Sequence, residues 1–309
     1  MAVLLSACSI LFLSACSPSG GSGAGPDSAA PSPAASNSSS PAPVDGGRMV
    51  TIEDGREVYL ECAGEGTPTV LLVSGYRNNA QAWIDDLDPS VQPVFGAIAE
   101  QTRVCAWDRP GTFLDSDRRS RSDDITMPRT AQSVVDELEE VLDASGEAGP
   151  YLVVAHSLGG LISRVFTDAN ADDVVGLVLL DPLNESIARL LSEEDLERFL
   201  AAVDAVPEQL ADYEPIEYVD LPDALARAEG MTAAAAVPVV LIERTQTLDF
   251  GDPEFNARLQ TAWAQSQRDT VAQYDQARLV TADGAGHYVQ WDAADLVIAE
   301  ILAMLDAVR

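Results

Sequence analysis

Short, continuously apolar runs recur along the chain, separated by longer stretches in which apolar residues return every three or four positions. Thr69-Val70-Leu71-Leu72-Val73, Tyr151-Leu152-Val153-Val154-Ala155, the stretch Val174 to Leu180, the stretch Val237 to Glu243, and Ala277-Arg278-Leu279-Val280 have strand length. Most are unbroken rather than alternating, which predicts strands covered on both faces. Met49 to Ile52 and Glu57 to Cys62 flank Glu53-Asp54-Gly55-Arg56, a hairpin signal. Helical spacing predicts helices over about 80–100, 129–145, 158–170, 254–270 and 292–308. Strands alternating with helices imply an α/β fold with a mostly parallel sheet and helices on both faces. Between Pro182 and about Ala236 no strand pattern appears. Ser192 followed by Glu193, Glu194 and Asp195 instead opens a helix with acidic residues in its first turn. Within this insert Leu200, Tyr213, Tyr218 and Leu221 either line an entrance or pack the insert onto the domain.

The first part of the chain breaks the pattern. Met1 to Ala15 is nearly all apolar and too short for a stable membrane span. Leu13-Ser14-Ala15-Cys16 resembles a bacterial lipobox, in which the cysteine is lipidated and becomes the mature N-terminus. Leu5-Ser6-Ala7-Cys8 matches as well, but Cys16 leads straight into a Ser/Gly/Pro/Ala-rich stretch. The segment lacks the positive n-region of a signal peptide, so further residues upstream of Met1 are expected. A stretch of that composition buries too little apolar surface to order itself and reads as a tether. The expected organisation is a signal segment over 1–16, a linker over 17–47 and one domain over 48–309, with a cap at about 183–236.

The chemistry gathers around two histidines. His156 precedes Ser157 in Ala155-His156-Ser157-Leu158-Gly159-Gly160. Ser157 falls where the run 151–155 gives way to helical spacing, as on a nucleophile elbow. Small residues two before and two after such a serine avoid clashes, and here they are Ala155 and Gly159. A serine hydroxyl needs a base within hydrogen-bond reach. His156 is poorly placed for this, because adjacent side chains on a tight turn diverge. His287, in Gly284-Ala285-Gly286-His287, is the expected base. The backbone N–H of Leu158, at the helix start, is expected to face a developing oxyanion.

With these residues in place, the chain resembles the α/β-hydrolase superfamily over about residues 48–309, in particular secreted or lipoprotein-type bacterial serine hydrolases. Thr69 to Tyr76 matches the strand and glycine turn of that family, with Ser74 where a histidine is usual and Gly75 retained. The resemblance implies that the N–H of Tyr76 is the second oxyanion donor. The stretch Arg103 to Gly111, with Cys105 in its apolar part, is similar to the family's next parallel strand and its Asp-Arg-x-Gly turn, which implies structural roles for Asp108 and Arg109. Two places compete for the acid that orients the histidine. Asp181, in Leu180-Asp181-Pro182, stands at a strand end. Asp249 lies in the later loop, with Asp252 and Glu243 as further alternatives. Of four cysteines, Cys8 and Cys16 belong to the leader. An exported chain meets an oxidising setting, and the resembled fold makes the strands of Cys62 and Cys105 neighbours, which implies a disulfide between them.

Charge narrows the partners. The 18 basic residues are all arginine, and 50 acidic residues bring the net charge to −32. Such a surface repels nucleic-acid phosphates and forms no polybasic membrane patch. The sequence shows no phosphate loop, zinc-type cluster or cofactor fingerprint, so neither metal nor cofactor is expected. The expected function is hydrolysis of a small acyl substrate, a carboxylic ester, by an enzyme tethered outside the cell membrane through lipid on Cys16. Amide or lactone cleavage, a cofactor-free perhydrolase, and a non-catalytic binding or sensing protein on the same scaffold are the alternatives.

Overall fold

A computed structural model of the chain describes residues 47–86, 90–229, 231 and 236–309. The expected signal segment with Cys16, and the linker up to residue 46, lie outside the described residues. The strands are β1 (Arg48–Thr51), β2 (Glu57–Ala63), β3 (Thr69–Val73), β4 (Val104–Trp107), β5 (Tyr151–His156), β6 (Val174–Leu180), β7 (Val239–Arg244) and β8 (Ala277–Ala282). They form one sheet in the order β1-β2-β4-β3-β5-β6-β7-β8. β2 pairs antiparallel with β1 and β4, and the remaining pairs are parallel. The β1–β2 hairpin turns at Gly55, whose φ of +86° suits a residue without a Cβ.

The unbroken apolar runs follow from burial on both faces. Leu71, Val73, Val153, Ala155, Leu177 and Leu179 face one core, while Val70, Leu72, Leu152, Val154, Val178 and Leu180 face the other. Successive side chains of a strand point to opposite faces, so a central strand covered twice cannot alternate in polarity. The helices are α1 (Gln81–Ile84), α2 (Val94–Ala99), α3 (Ala131–Ser145), α4 (Leu158–Ala169), α5 (Ile187–Leu190), α6 (Glu193–Val203), α7 (Leu221–Ala228), α8 (Pro253–Val271), α9 (Val289–Asp292) and α10 (Ala294–Val308). Helices α3, α4 and α8 contribute to the first core, and α2 and α10 to the second.

The single helix expected over 80–100 is instead two short ones. Pro93 sits at the start of α2, where its missing N–H and fixed φ are tolerated, and a proline there prevents a continuous helix. Helix α8 begins as its sequence dictates: Asp252 accepts from the N–H groups of Glu254 and Phe255, and Pro253 follows. Between β6 and β7 lie α5, α6, a 3-10 turn (Glu208–Leu210) and α7. Ser192 caps α6 by accepting from the Asp195 N–H. Cys62 and Cys105 are register partners on β2 and β4, and a disulfide joins them.

Candidate active site

Parallel strands deliver their C-terminal ends to one edge of the sheet, and loops gather there. Ser157 follows β5, Asp181 follows β6, Arg244 ends β7, and His287 lies on the loop after β8. Ser157 has φ +53° and ψ −121°, a conformation rare for a residue with a side chain. The turn is held by Ser157 N–H donating to the Leu180 carbonyl, and by Leu183 N–H donating to the Ser157 carbonyl. A Cβ on Gly159 would stand 2.5 Å from the Val73 carbonyl oxygen, so only glycine lets α4 start this close to β3. Ala155 is fully buried in the core, where its methyl group fits.

Ser157, His287 and Asp181 form one hydrogen-bonded row. Ser157 Oγ lies 3.0 Å from His287 Nε2, and His287 Nδ1 lies 2.6 Å from Asp181 Oδ2. An ionised Asp181 accepts, so Nδ1 carries the proton and Nε2 is left to accept from the serine hydroxyl. Asp181 is fully buried. Burial alone would raise its pKa. The His287 hydrogen bond and charge, the Arg244 charge and the Trp263 hydrogen bond outweigh that and hold it below the usual aspartate value. Arg244 Nη1 donates to Oδ1 at 2.8 Å and Oδ2 at 2.6 Å, and Trp263 Nε1 donates to Oδ1 at 2.7 Å.

The competing acids lie in other networks. Asp249 is exposed and accepts from the Gly251 N–H and from Asn256 Nδ2. Asp252 caps α8 and pairs with Arg198, while Glu243 accepts from Thr281 Oγ1. None of these three shares a hydrogen bond with His287 among the described residues.

His156 is buried beside the row rather than in it. Its Nε2–H donates to the His287 carbonyl oxygen at 2.8 Å, and its ring centroid is 4.6 Å from that of His287. Burial, and next the repulsion of a charged His287, push its pKa down to about 3. It is therefore a neutral strut under the loop that carries His287. That loop is also tied to the end of β7, because the Ala285 carbonyl accepts from the Thr245 and Gln246 N–H groups.

Tyr76 and Leu158 border the same pocket as Ser157. Leu158 is the first residue of α4, so its N–H has no partner inside the helix. Tyr76 follows Gly75, where a Cβ would meet the Ser157 Cβ at 3.2 Å and His156 Nδ1 at 2.7 Å. Ser74, in the position where a histidine is usual, turns inward: its hydroxyl donates to the Asn79 carbonyl and accepts from Trp83 Nε1. Asp108 accepts from the Ala80 N–H and holds Arg121 with both oxygens.

The pocket has a volume of about 120 Å³. Apart from His287, its remaining wall is apolar and comes from Leu183 after β6, α6 (Phe199, Val203), the start of α7 (Leu221), the loop before α8 (Leu248, Phe250) and Trp263. Of the four insert residues singled out from sequence, Leu221 lines this pocket. Tyr218 is exposed, Leu200 borders a separate groove, and Tyr213 donates to the Thr112 carbonyl. Sequence reasoning missed Arg244 and Trp263. A basic residue ending a parallel strand beside Asp181 was a readable signal for the first. The second sits mid-helix with nothing local to mark it.

The alpha/beta hydrolase family profile matches residues 70–300. A thermophilic esterase from Thermogutta terrifontis superposes with a TM-score of 0.54 at 19% identity, covering 85% of this chain and 98% of that one. A meta-cleavage product hydrolase from Pseudomonas fluorescens gives 0.56 at 18% identity, over 85% and 98%. In sequence the chain is similar to the Bacillus subtilis (strain 168) protein YqjL, 30% identical over 119 residues, which are 38% of this chain and 41% of that protein. The strand order, the strained turn after β5 and the match across most of the domain agree: the chain belongs to the alpha/beta hydrolase family, and this membership supports a hydrolase activity.

Proposed function

We propose that the protein is a serine hydrolase that cleaves a carboxylic ester through an acyl-enzyme. The observation that carries this reading is the hydrogen-bonded row from Ser157 through His287 to Asp181, with the serine on a strained turn at the mouth of an apolar pocket. Ser157 Oγ attacks the carbonyl carbon while His287 Nε2 takes its proton. Asp181 holds the imidazole and stabilises its protonated form. The Tyr76 and Leu158 N–H groups stabilise the oxyanion. His287 then protonates the leaving alcohol, and water, activated by the same nitrogen, releases the acid.

The pocket favours a short apolar acyl group. A cavity of about 120 Å³ is slightly smaller than the apolar cavities of roughly 150 Å³ that admit benzene, so about four to six carbons fit. Its wall includes no Asp, Glu or Arg side chain, which disfavours a charged acyl group.

The experiment is fluorophosphonate labelling together with hydrolysis of p-nitrophenyl esters. Parent protein should label, while Ser157→Ala should not. Ser157→Ala and His287→Ala should each lose activity by about 10⁴-fold or more, and the double variant should be little worse. His156→Ala should retain far more activity than His287→Ala. A parent that neither labels nor hydrolyses favours a binding protein on this scaffold.

The proposed setting is outside the cell membrane, tethered by lipid on Cys16. The lipobox-like Leu13 to Cys16 and the composition of the following linker support it. Mass spectrometry of the mature N-terminal peptide should find diacylglycerol on Cys16, and an unmodified Cys16 overturns the tether.

A further inference from the structure

Arg109 and Glu217 form a buried ion pair whose side chains both bond the backbone of the loop carrying Tyr76. Arg109 lies just after β4 and Glu217 comes from the segment between β6 and β7, and their side chains are 1% and 0% exposed. Arg109 Nε donates to Glu217 Oε1 at 2.6 Å, and Nη2 donates to Oε2 at 3.2 Å. The same guanidinium donates to the Ser74 carbonyl at 3.0 Å and to the Gly75 carbonyl at 2.6 Å. Glu217 Oε2 also accepts from the Arg77 backbone N–H at 2.5 Å. Carbonyls 74 and 75 and N–H 77 are thus gripped on both sides of Tyr76. Gly111 allows this approach: with φ +74°, its missing Cβ leaves room for the Glu217 N–H, which a Cβ would meet at 2.5 Å.

A peptide unit is planar and trans, so the carbonyl of Gly75 and the N–H of Tyr76 point in opposite directions. Holding that carbonyl at Arg109 fixes where the N–H points. A cation on the carbonyl oxygen also polarises the unit and strengthens the N–H as a donor. We infer that Arg109 and Glu217 are positioning residues that aim and polarise the Tyr76 N–H toward the oxyanion, which makes the segment between β6 and β7 part of the catalytic geometry. This rests on the proposed ester hydrolysis. Arg77 extends the link: at φ +61°, its guanidinium donates to the Asp204 and Ala205 carbonyls beyond the end of α6. Tyr76 Oη donates to Asp204 Oδ1 at 2.7 Å.

The test uses Arg109→Lys and Glu217→Gln in the full chain. Lysine offers a point charge and cannot bridge two carbonyls and a carboxylate as a guanidinium does. Glutamine keeps volume and an acceptor but loses the charge that holds Arg109. Active sites are counted by labelling to completion with a fluorophosphonate, so that partial unfolding does not count as lost catalysis. Each variant should lose about 10- to 100-fold in kcat per labelled site, with KM within about twofold, because a misaimed donor affects the transition state. The inhibition constant of a trifluoromethyl ketone, which forms a tetrahedral oxyanion on the serine, should rise in step. That of the carboxylic acid product should not. Arg164→Lys, at another buried pair with Glu185, serves as control and should leave kcat per site unchanged. If Arg109→Lys does not fold, Glu217→Gln carries the same expectation. Unchanged kcat per site and an unchanged ketone constant, with only a lower Tm, overturn the inference. A parent that does not label overturns the ester reading along with it.

Discussion

At the residue scale, Asp181 carries more than its place in a row. Its two oxygens accept from His287, Arg244 and Trp263, so its charge is satisfied without water. Asp181→Asn should therefore cost about 10³-fold or more in kcat/KM, because an amide can present N–H instead of an acceptor to His287 and disfavour the useful tautomer. Asp249→Asn should change kcat/KM by less than about threefold. The comparison is read from ester hydrolysis by the purified variants, and a larger loss at Asp249 would reject the assignment. The sequence left this choice open for a physical reason. Both aspartates stand in loops that follow strands, and reach toward His287 is a property of the folded loops. The Asp249 loop folds back on Gly251 and Asn256, while Asp181 is drawn inward by Arg244, a partner 63 residues away.

At the element scale, the turn after β5 and the helices between β6 and β7 divide the work. The turn was legible because small residues around a serine, after a buried strand and before a helix, admit few other conformations. Gly159 has to be glycine against β3, while Ala155 needs only to be small. Of the helices of the insert, α6 was legible from its serine cap and acidic first turn. Which side chains the insert sends to the pocket was not, because that depends on how α7 packs on α4 and α6 on α8. Phe199 of α6 forms one wall, with its ring 6.0 Å from Trp263 and 6.2 Å from Phe250. Phe199→Ala should lengthen the pocket. The ratio of kcat/KM for p-nitrophenyl octanoate over butyrate should rise by about tenfold, since the space vacated takes about two of the four extra methylenes at roughly 0.8 kcal/mol each. A ratio that stays constant would place the acyl chain elsewhere.

At the scale of the whole molecule, His156 links stability to pH. Its pKa falls from 6.5 to about 3 because folding buries it as a neutral ring. Between those values the unfolded chain binds the extra proton, so the contribution is complete above about pH 6.5 and declines as the pH falls toward 3. The slope from this one site is about 1.4 kcal/mol per pH unit inside that window. Urea unfolding at pH 7.5 and pH 5 should therefore show roughly 2 kcal/mol lost through His156, and His156→Gln should flatten that slope. An equal pH dependence in both proteins would contradict the buried neutral ring. The Asp181 contribution has the opposite position on the scale: its depressed pKa keeps stability that is lost only below the ordinary aspartate range.

The sequence by itself determined the alternating α/β order, the positions of most strands, the serine turn and the start of α6. Each of these is set by neighbours a few residues apart: periodicity, a capping side chain, a glycine or a proline. It also narrowed the proposed base to one of two histidines, since His156 and Ser157 cannot face each other across a tight turn. Tertiary structure decided everything that depends on which loops meet at one edge of the sheet. It selected Asp181 over Asp249, brought in Arg244 and Trp263, placed Leu221 rather than Tyr218 in the pocket, and set Glu217 against Arg109 from 108 residues away. A side chain's reach and burial are fixed only when distant backbones close around it, and no local pattern records that.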